Sequence, residues 1–140
     1  MLHEKNVSFY LEKELQRYMT PEAKNVFLCA WYRYMFPYIP FRSGIMASLM
    51  DYPKNAESIQ LSPDEAMLIG LEMIKNDPRN VIHFKAPYSN RQYEGTDFNF
   101  TTDMHQLAQA HWAQVAAELH GEEIMKELKL YIERERRKNK

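Results

Sequence analysis

Residues Pro78–Gly95 read PRNVIHFKAPYSNRQYEG, and their reading decides whether the chain contains a sheet. Asn80-Val81-Ile82-His83-Phe84 is a short β-branched and aromatic run bounded by Pro78 and Pro87, the pattern of a strand. Tyr88 to Tyr93 offers a continuation beyond Pro87. Gly95 breaks it, and residues 96–100 read as a loop or a short edge strand. On this reading the middle of the chain folds as a small, mainly antiparallel sheet. A sheet that small needs helices over one of its faces.

The flanks supply those helices. Val7, Tyr10, Leu11, Leu15, Tyr18 and Met19 recur at steps of three and four, one face of a helix over Val7–Met19. Thr20-Pro21-Glu22 then combines an N-cap, a proline at the first helical position and an acid in the first turn. A second helix follows from Pro21 to about Met35. Pro37 and Pro40 end it, leaving Pro37 to Gly44 extended with a turn at Gly44. Ile45–Leu49 fits a strand or a short helical turn, and residues 51–57 a loop. Ser62-Pro63-Asp64-Glu65 is a capping box with proline at N1. It predicts a helix from Pro63 to about Lys75, despite Gly70 at its centre; a strand through Ala66–Ile74 is the competing reading. From a cap at Thr102 or Asp103, Leu107, Ala108, His111, Trp112, Val115, Ala116 and Leu119 share a face. Ile124, Met125, Leu128, Tyr131 and Ile132 resume the spacing after Gly121, which predicts one long helix to about residue 137, with Gly121 as the place for a kink. The predicted fold class is α+β: a single domain with N-terminal helices over 1–36, a sheet region over 37–100 with an inserted helix at about 63–75, and a C-terminal helix over 102–137.

A chain of 140 residues buries roughly 68% of its unfolded surface, enough for a core without disulfide or metal. The formal net charge is −1, so any contact with nucleic acid must come from local charge. The lone cysteine, Cys29, lies among Leu28, Ala30 and Trp31 and reads as a small buried hydrophobe. The charged N-terminus has no apolar core of a signal peptide, and no run approaches the roughly 18 apolar residues of a membrane span. The expectation is synthesis in the cytoplasm and no membrane contact.

The usual marks of catalysis are missing from the pattern. His3, His83, His105, His111 and His120 include no pair at the i, i+4 spacing that sets two metal ligands on one helical face. No GxSxG elbow, reactive-cysteine signature or glycine-rich phosphate loop is present. The expectation is a protein that is not an enzyme, with no catalytic residue, cofactor or metal. The unusual feature is aromatic density: Trp31, Tyr32, Tyr34, Phe36, Tyr38 and Phe41 lie close together, interleaved with Arg33 and Arg42. Such a run can stack on bases, but core packing or a protein–protein interface is the simpler reading. The nine methionines fit adaptable packing surfaces.

Three segments together resemble one family, the minor capsid or head–tail joining (neck) proteins of tailed bacteriophages. Pro37-Tyr38-Ile39-Pro40-Phe41-Arg42-Ser43-Gly44 is similar to the P-Y-V-P-F-x-T-G-x-L segment of that family. Ala86-Pro87-Tyr88-Ser89-Asn90-Arg91-Gln92-Tyr93-Glu94-Gly95 is similar to its P-Y-A-x-x-Q-Y-Y-G strand. Phe98-Asn99-Phe100-Thr101, then His105 to Trp112, resembles its loop and helix with A-x-x-x-W. The departures include Ser43 for threonine and Ser89 for alanine, and the stretch from about Ser58 to Pro78 is longer than usual.

The resemblance implies a small sheet flanked by helices and a structural role in the virion. Copies would form a homo-oligomeric ring at the head–tail junction, between a portal, adaptor or head-closure protein and a tail terminator or tail tube protein. It marks Tyr38, Pro40, Phe41, Arg42, Gly44, Pro87, Tyr88, Gln92, Tyr93, Gly95 and Trp112 as interface or fold-determining residues. Arg134, Arg136, Arg137, Lys138 and Lys140 form a basic end that, multiplied by ring symmetry, suits non-specific contact with DNA in a channel. The alternatives are tail completion or termination and, in a different class, a small nucleic-acid-binding protein.

Overall fold

The computed structural model describes residues 18–87, 89–95, 105 and 107–138. The helix expected over Val7–Met19 lies outside these residues apart from Tyr18 and Met19. So do the loop at 96–100, the cap at Thr102 or Asp103, and Tyr88 and Lys140.

Helix α1 (Pro21–Met35) starts where the capping signal puts it: the Thr20 hydroxyl accepts the Ala23 N–H at 3.0 Å. It buries Ala23, Phe27, Leu28, Ala30, Trp31, Tyr32 and Met35, a stripe too broad for one neighbour. Two helices cover it. On one side lies α2 (Pro63–Asn76), whose Ser62–Glu65 capping box is fully formed. On the other lies the long C-terminal helix α4 (Trp112–Lys138). Each large apolar side chain sealed between them adds roughly 1.5–3 kcal/mol relative to exposure.

Local contacts fix both crossings. Trp31 Nε1 donates to the Ala113 carbonyl at 2.8 Å, and Arg33 pairs with Glu127. Against α2, the Tyr32 ring lies over Gly70, and its hydroxyl donates to the Ala47 carbonyl at 2.6 Å. A Cβ on Gly70 would stand 2.0 Å from that hydroxyl. Gly70 therefore exchanges helix propensity for a close approach. Asn25 Nδ2 reaches both the Ile74 carbonyl and Asn80 Oδ1, and Asn80 Nδ2 donates to the Pro21 carbonyl, closing the α1–α2 end of the core.

The expected sheet is absent from the described residues. The described residues are helical, with no strand and only an isolated bridge at Ile82. The period-two pattern itself is real: Ile82, Phe84 and Ala86 are buried, while Val81, His83 and Lys85 are less so. Asn80 is left-handed (φ 57°), so the run begins at a turn. The extended segment packs its alternate residues on helices, with no strand beside it among the described residues, and periodicity alone cannot supply one. The expected continuation is helical too: α3 spans Ser89–Glu94. Its sequence, SNRQYE, has no β-branched residue and several good helix formers. Ser89 is tied back to the extended segment by its Oγ, which donates to the Phe84 carbonyl at 3.1 Å.

Two other boundaries move. Pro37 lies in a 3-10 turn, Phe36–Tyr38, and the chain becomes extended only at Ile39. Helix α4 begins at Trp112, not near residue 102. His111 just before it is left-handed (φ 55°), and nearby backbone donors bond to other segments instead of continuing a helix. Gly44 does turn the chain, with φ 89°, and Ser48 N–H returns to its carbonyl, so Ile45–Leu49 forms a helical turn. The kink expected at Gly121 is centred on its neighbour His120 (φ −127°, ψ 15°). No helix among the described residues is long and apolar enough to cross a membrane.

Candidate functional site

The three segments that carry the resemblance, distant in sequence, meet at the N-terminal end of α4. Gln109 N–H donates to the Tyr38 carbonyl at 3.0 Å, joining the first segment to the third. His111 N–H donates to the Tyr93 carbonyl at 2.8 Å, joining the second to the third. Trp112 is 1% exposed and holds the centre. Tyr93 meets it edge-on at 4.7 Å between ring centroids, and Phe84 at 5.4 Å. Such aromatic pairs add roughly 0.5–1.5 kcal/mol beyond the area they bury.

Histidines lock this joint. Buried His105 lies 4.6 Å from Phe36 and 4.8 Å from Phe41 between ring centroids. Its Nδ1 faces the Ile39 carbonyl at 2.8 Å and therefore donates to it. Burial pushes its pKa below the ordinary imidazole value, and the hydrogen bond to Ile39 partly offsets that. His111 Nε2 meets the Glu94 carboxylate at 3.1 Å. At the kink, the His120 ring stacks on Tyr34, and its Nε2 lies 2.9 Å from the Tyr38 hydroxyl. The kink is thus held by a side chain clamped to the end of α1 and the turn after it.

The marked residues divide by burial. Tyr38, Phe41, Gly44 and Trp112 are buried; Pro40, Gln92, Tyr93 and Gly95 are partly buried; Arg42 and Pro87 are exposed. The aromatic run is core in this chain, so neither base stacking nor an external contact is open to Trp31, Tyr32, Phe36 or Phe41. Cys29 is half-buried, with its thiol 3.6 Å from Asn25 Oδ1, and burial raises its pKa.

The basic end stands apart from the joint. Arg134, Arg136, Arg137 and Lys138 are exposed on the last turns of α4. Arg136 lies over the Tyr18 ring at 4.7 Å, and Lys138 reaches Glu135 at 3.4 Å.

Sequence reasoning missed the roles of His105, His120 and the Tyr32–Gly70 crossing. Gly70 carried a local signal, an unexplained glycine inside a helix. The histidines carried none, because their partners are supplied by other segments. Among the described residues no group of three His, Cys, Asp or Glu side chains is arranged to hold a metal ion. Comparison with protein-family models, with curated proteins and with solved structures finds no match.

Proposed function

We propose that the chain is a structural subunit of a phage head–tail connector, forming with copies of itself a ring between a portal or adaptor and the tail. The observation that carries the reading is the meeting of the three motif segments around Trp112. Residues similar to the neck family in separate stretches belong to one packing unit, so their order and spacing answer to a common physical demand. The sheet that the resemblance implied is not part of the support; the motifs and their convergence are. The joint also suits a scaffold. Its histidines are spent on backbone carbonyls, ring contacts and a surface carboxylate, which fix segments in place.

In this reading the exposed cations at the end of α4 gain weight through assembly. One exposed cluster is screened beyond ~8 Å at physiological salt. Many copies around a channel would present a continuous basic collar to the DNA phosphates without reading sequence.

The test is localisation in assembled particles, by particle structure determination or cross-linking. The reading expects copies in a ring at the head–tail junction, touching portal-side and tail-side proteins. Absence from that junction overturns it. Contacts with the tail tube alone would place the chain in tail completion instead.

A further inference from the structure

Beside the kink, a cleft of about 530 Å³ opens between α1 and α4. Phe27 and Trp31 of α1 and Ile124 of α4 back it but are themselves buried, so the apolar groups it offers a partner are half-buried Met125 and Leu119, which is 62% exposed. Its rim is acidic: Glu118, Glu122 and Glu123. Gln114 holds Glu118 at 3.2 Å, while Glu122 and Glu123 are exposed with no ion-pair partner among the described residues. Such a cleft fits a segment that presents an apolar side chain flanked by cations.

The far end of α4 is such a segment. Leu130 is 50% exposed, and Arg134 and Arg137 follow it at steps of four and three, on the same helix face. Neither arginine has an ion-pair partner among the described residues, whereas Arg136 lies over the Tyr18 ring and Lys138 pairs with Glu135. Glu122 and Arg134 lie on one helical stretch, roughly 18 Å apart at 1.5 Å per residue. A chain therefore cannot fold its own basic end into its own cleft.

We propose that the basic end of α4 of one copy docks in the kink cleft of the next. Leu130 covers Leu119 and Met125, and Arg134 and Arg137 face Glu122 and Glu123. The inference rests on the ring reading and deepens it by naming the contact between neighbours. Each copy then offers one cleft and one end; where these engage different neighbours, as the ring reading requires, the contact is head-to-tail, the kind that closes into a ring or runs on as a filament.

A charge swap in the full chain tests it. Glu122→Lys/Glu123→Lys sets like charges in the contact, as does Arg134→Glu/Arg137→Glu. Each variant alone should self-associate at least about tenfold more weakly than the parent in sedimentation velocity, since facing like charges are strongly unfavourable. All four positions are exposed, so thermal melts should stay unchanged. Mixing the two variants should restore association to within about threefold, because every neighbour contact in the mixture again pairs opposite charges. A reciprocal twofold pair would be rescued equally, so the parent and the mixture should also sediment as species larger than a dimer, and a parent that stops at the dimer overturns the head-to-tail contact. Parent-like association of either variant alone, or no rescue on mixing, overturns the contact, as does a parent chain that stays monomeric at all concentrations. If deleting residues 1–17 strengthens association while the charge variants behave as parent, the cleft belongs to the chain's own N-terminal segment and the proposal fails. Localisation keeps the two readings apart: junction rings without charge-swap behaviour sink the contact alone, and rescue without junction localisation sinks the neck reading alone.

Discussion

Gly70 stands in a helix interior, where glycine costs ~1 kcal/mol against alanine. On propensity alone, Gly70→Ala should stabilise. The Tyr32 hydroxyl, 2.0 Å from where the new Cβ would sit, reverses the sign. Overpacking of this kind costs about 1–3 kcal/mol, so the variant should lose stability in urea denaturation. Adding Tyr32→Phe removes the nearest clashing atom but keeps the ring carbons at 2.3 and 2.7 Å, so the double variant should lose somewhat less than the sum of the two single changes without regaining parent stability. A more stable Gly70→Ala protein would mean that the Tyr32–Gly70 crossing is not as close as described. His105 gives a pH signature at the same scale. Burial lowers its pKa from 6.5 in the folded state, so the unfolded chain takes up the proton first as pH falls. Its share of stability is complete above pH about 6.5 and is lost progressively below it, toward the folded pKa. His83 shifts in the same direction but is more exposed. The urea midpoint should therefore be lower at pH 5 than at pH 7.5, and His105→Gln should flatten that difference. An unchanged pH dependence in the variant would assign the effect elsewhere.

At the scale of elements, what the sequence could reveal depended on whether the signal was local. Thr20-Pro21-Glu22 and Ser62-Pro63-Asp64-Glu65 each carry cap and partner within one turn, and both helices start there. The Val81–Ala86 alternation was equally visible, but a sheet needs a second strand, and that is a non-local fact. Likewise, α4 starts late because Gln109 and His111 give their N–H groups to Tyr38 and Tyr93, partners no window around them contains. Of the candidate site, the three motifs were legible as motifs; the joining of Gln109 to Tyr38 and of His111 to Tyr93 was not. Gly44 is a case where sequence and structure agree, with φ 89° and a would-be Cβ 2.7 Å from Phe41 and 2.9 Å from Leu61. Gly44→Val should destabilise by about 2 kcal/mol or more, through both backbone and crowding. A midpoint matching the parent would remove the turn from the account. The two buried tryptophans make a finer comparison. Trp112→Ala should cost about 3–5 kcal/mol. Trp112 Nε1, however, is buried without a hydrogen-bond partner among the described residues, whereas Trp31 Nε1 donates to Ala113. Trp31→Phe leaves that carbonyl short of a donor, while Trp112→Phe abandons nothing polar. The Trp31 change should be the costlier by about 1 kcal/mol, and the reverse order would argue that Trp112 Nε1 has a partner.

For the whole molecule, the end of α4 is asked to do three things, and truncation after Ile132 separates them. As a fold element it does little. Ile132 is the last buried residue of the helix, and beyond it Arg136 over Tyr18 is the described contact that reaches another part of the chain. An exposed cation–π pair is worth about 0.5–1 kcal/mol, which shifts the melting temperature of a domain this size by no more than about 4 °C. The truncated chain should therefore melt within a few degrees of the parent; an unfolded product would make the end structural and close the argument. As a docking element it supplies Arg134 and Arg137, so the same truncation should abolish head-to-tail association. As a DNA-facing element it supplies Arg136, on the opposite side of the helix and so left toward the channel when Arg134 and Arg137 are engaged; Lys138, one turn beyond Arg134, shares the docking face. These roles differ in what salt does to them. Contact with phosphates weakens steeply with salt through counterion release. A contact with an apolar part, in which Leu130 covers Leu119, weakens less. Replacing only Arg136 with glutamine should thus leave association intact and reduce DNA retention in assembled particles. If those particles hold DNA and infect as the parent does, Arg136 is solvation for a helix end, and docking is the only work left for the basic run.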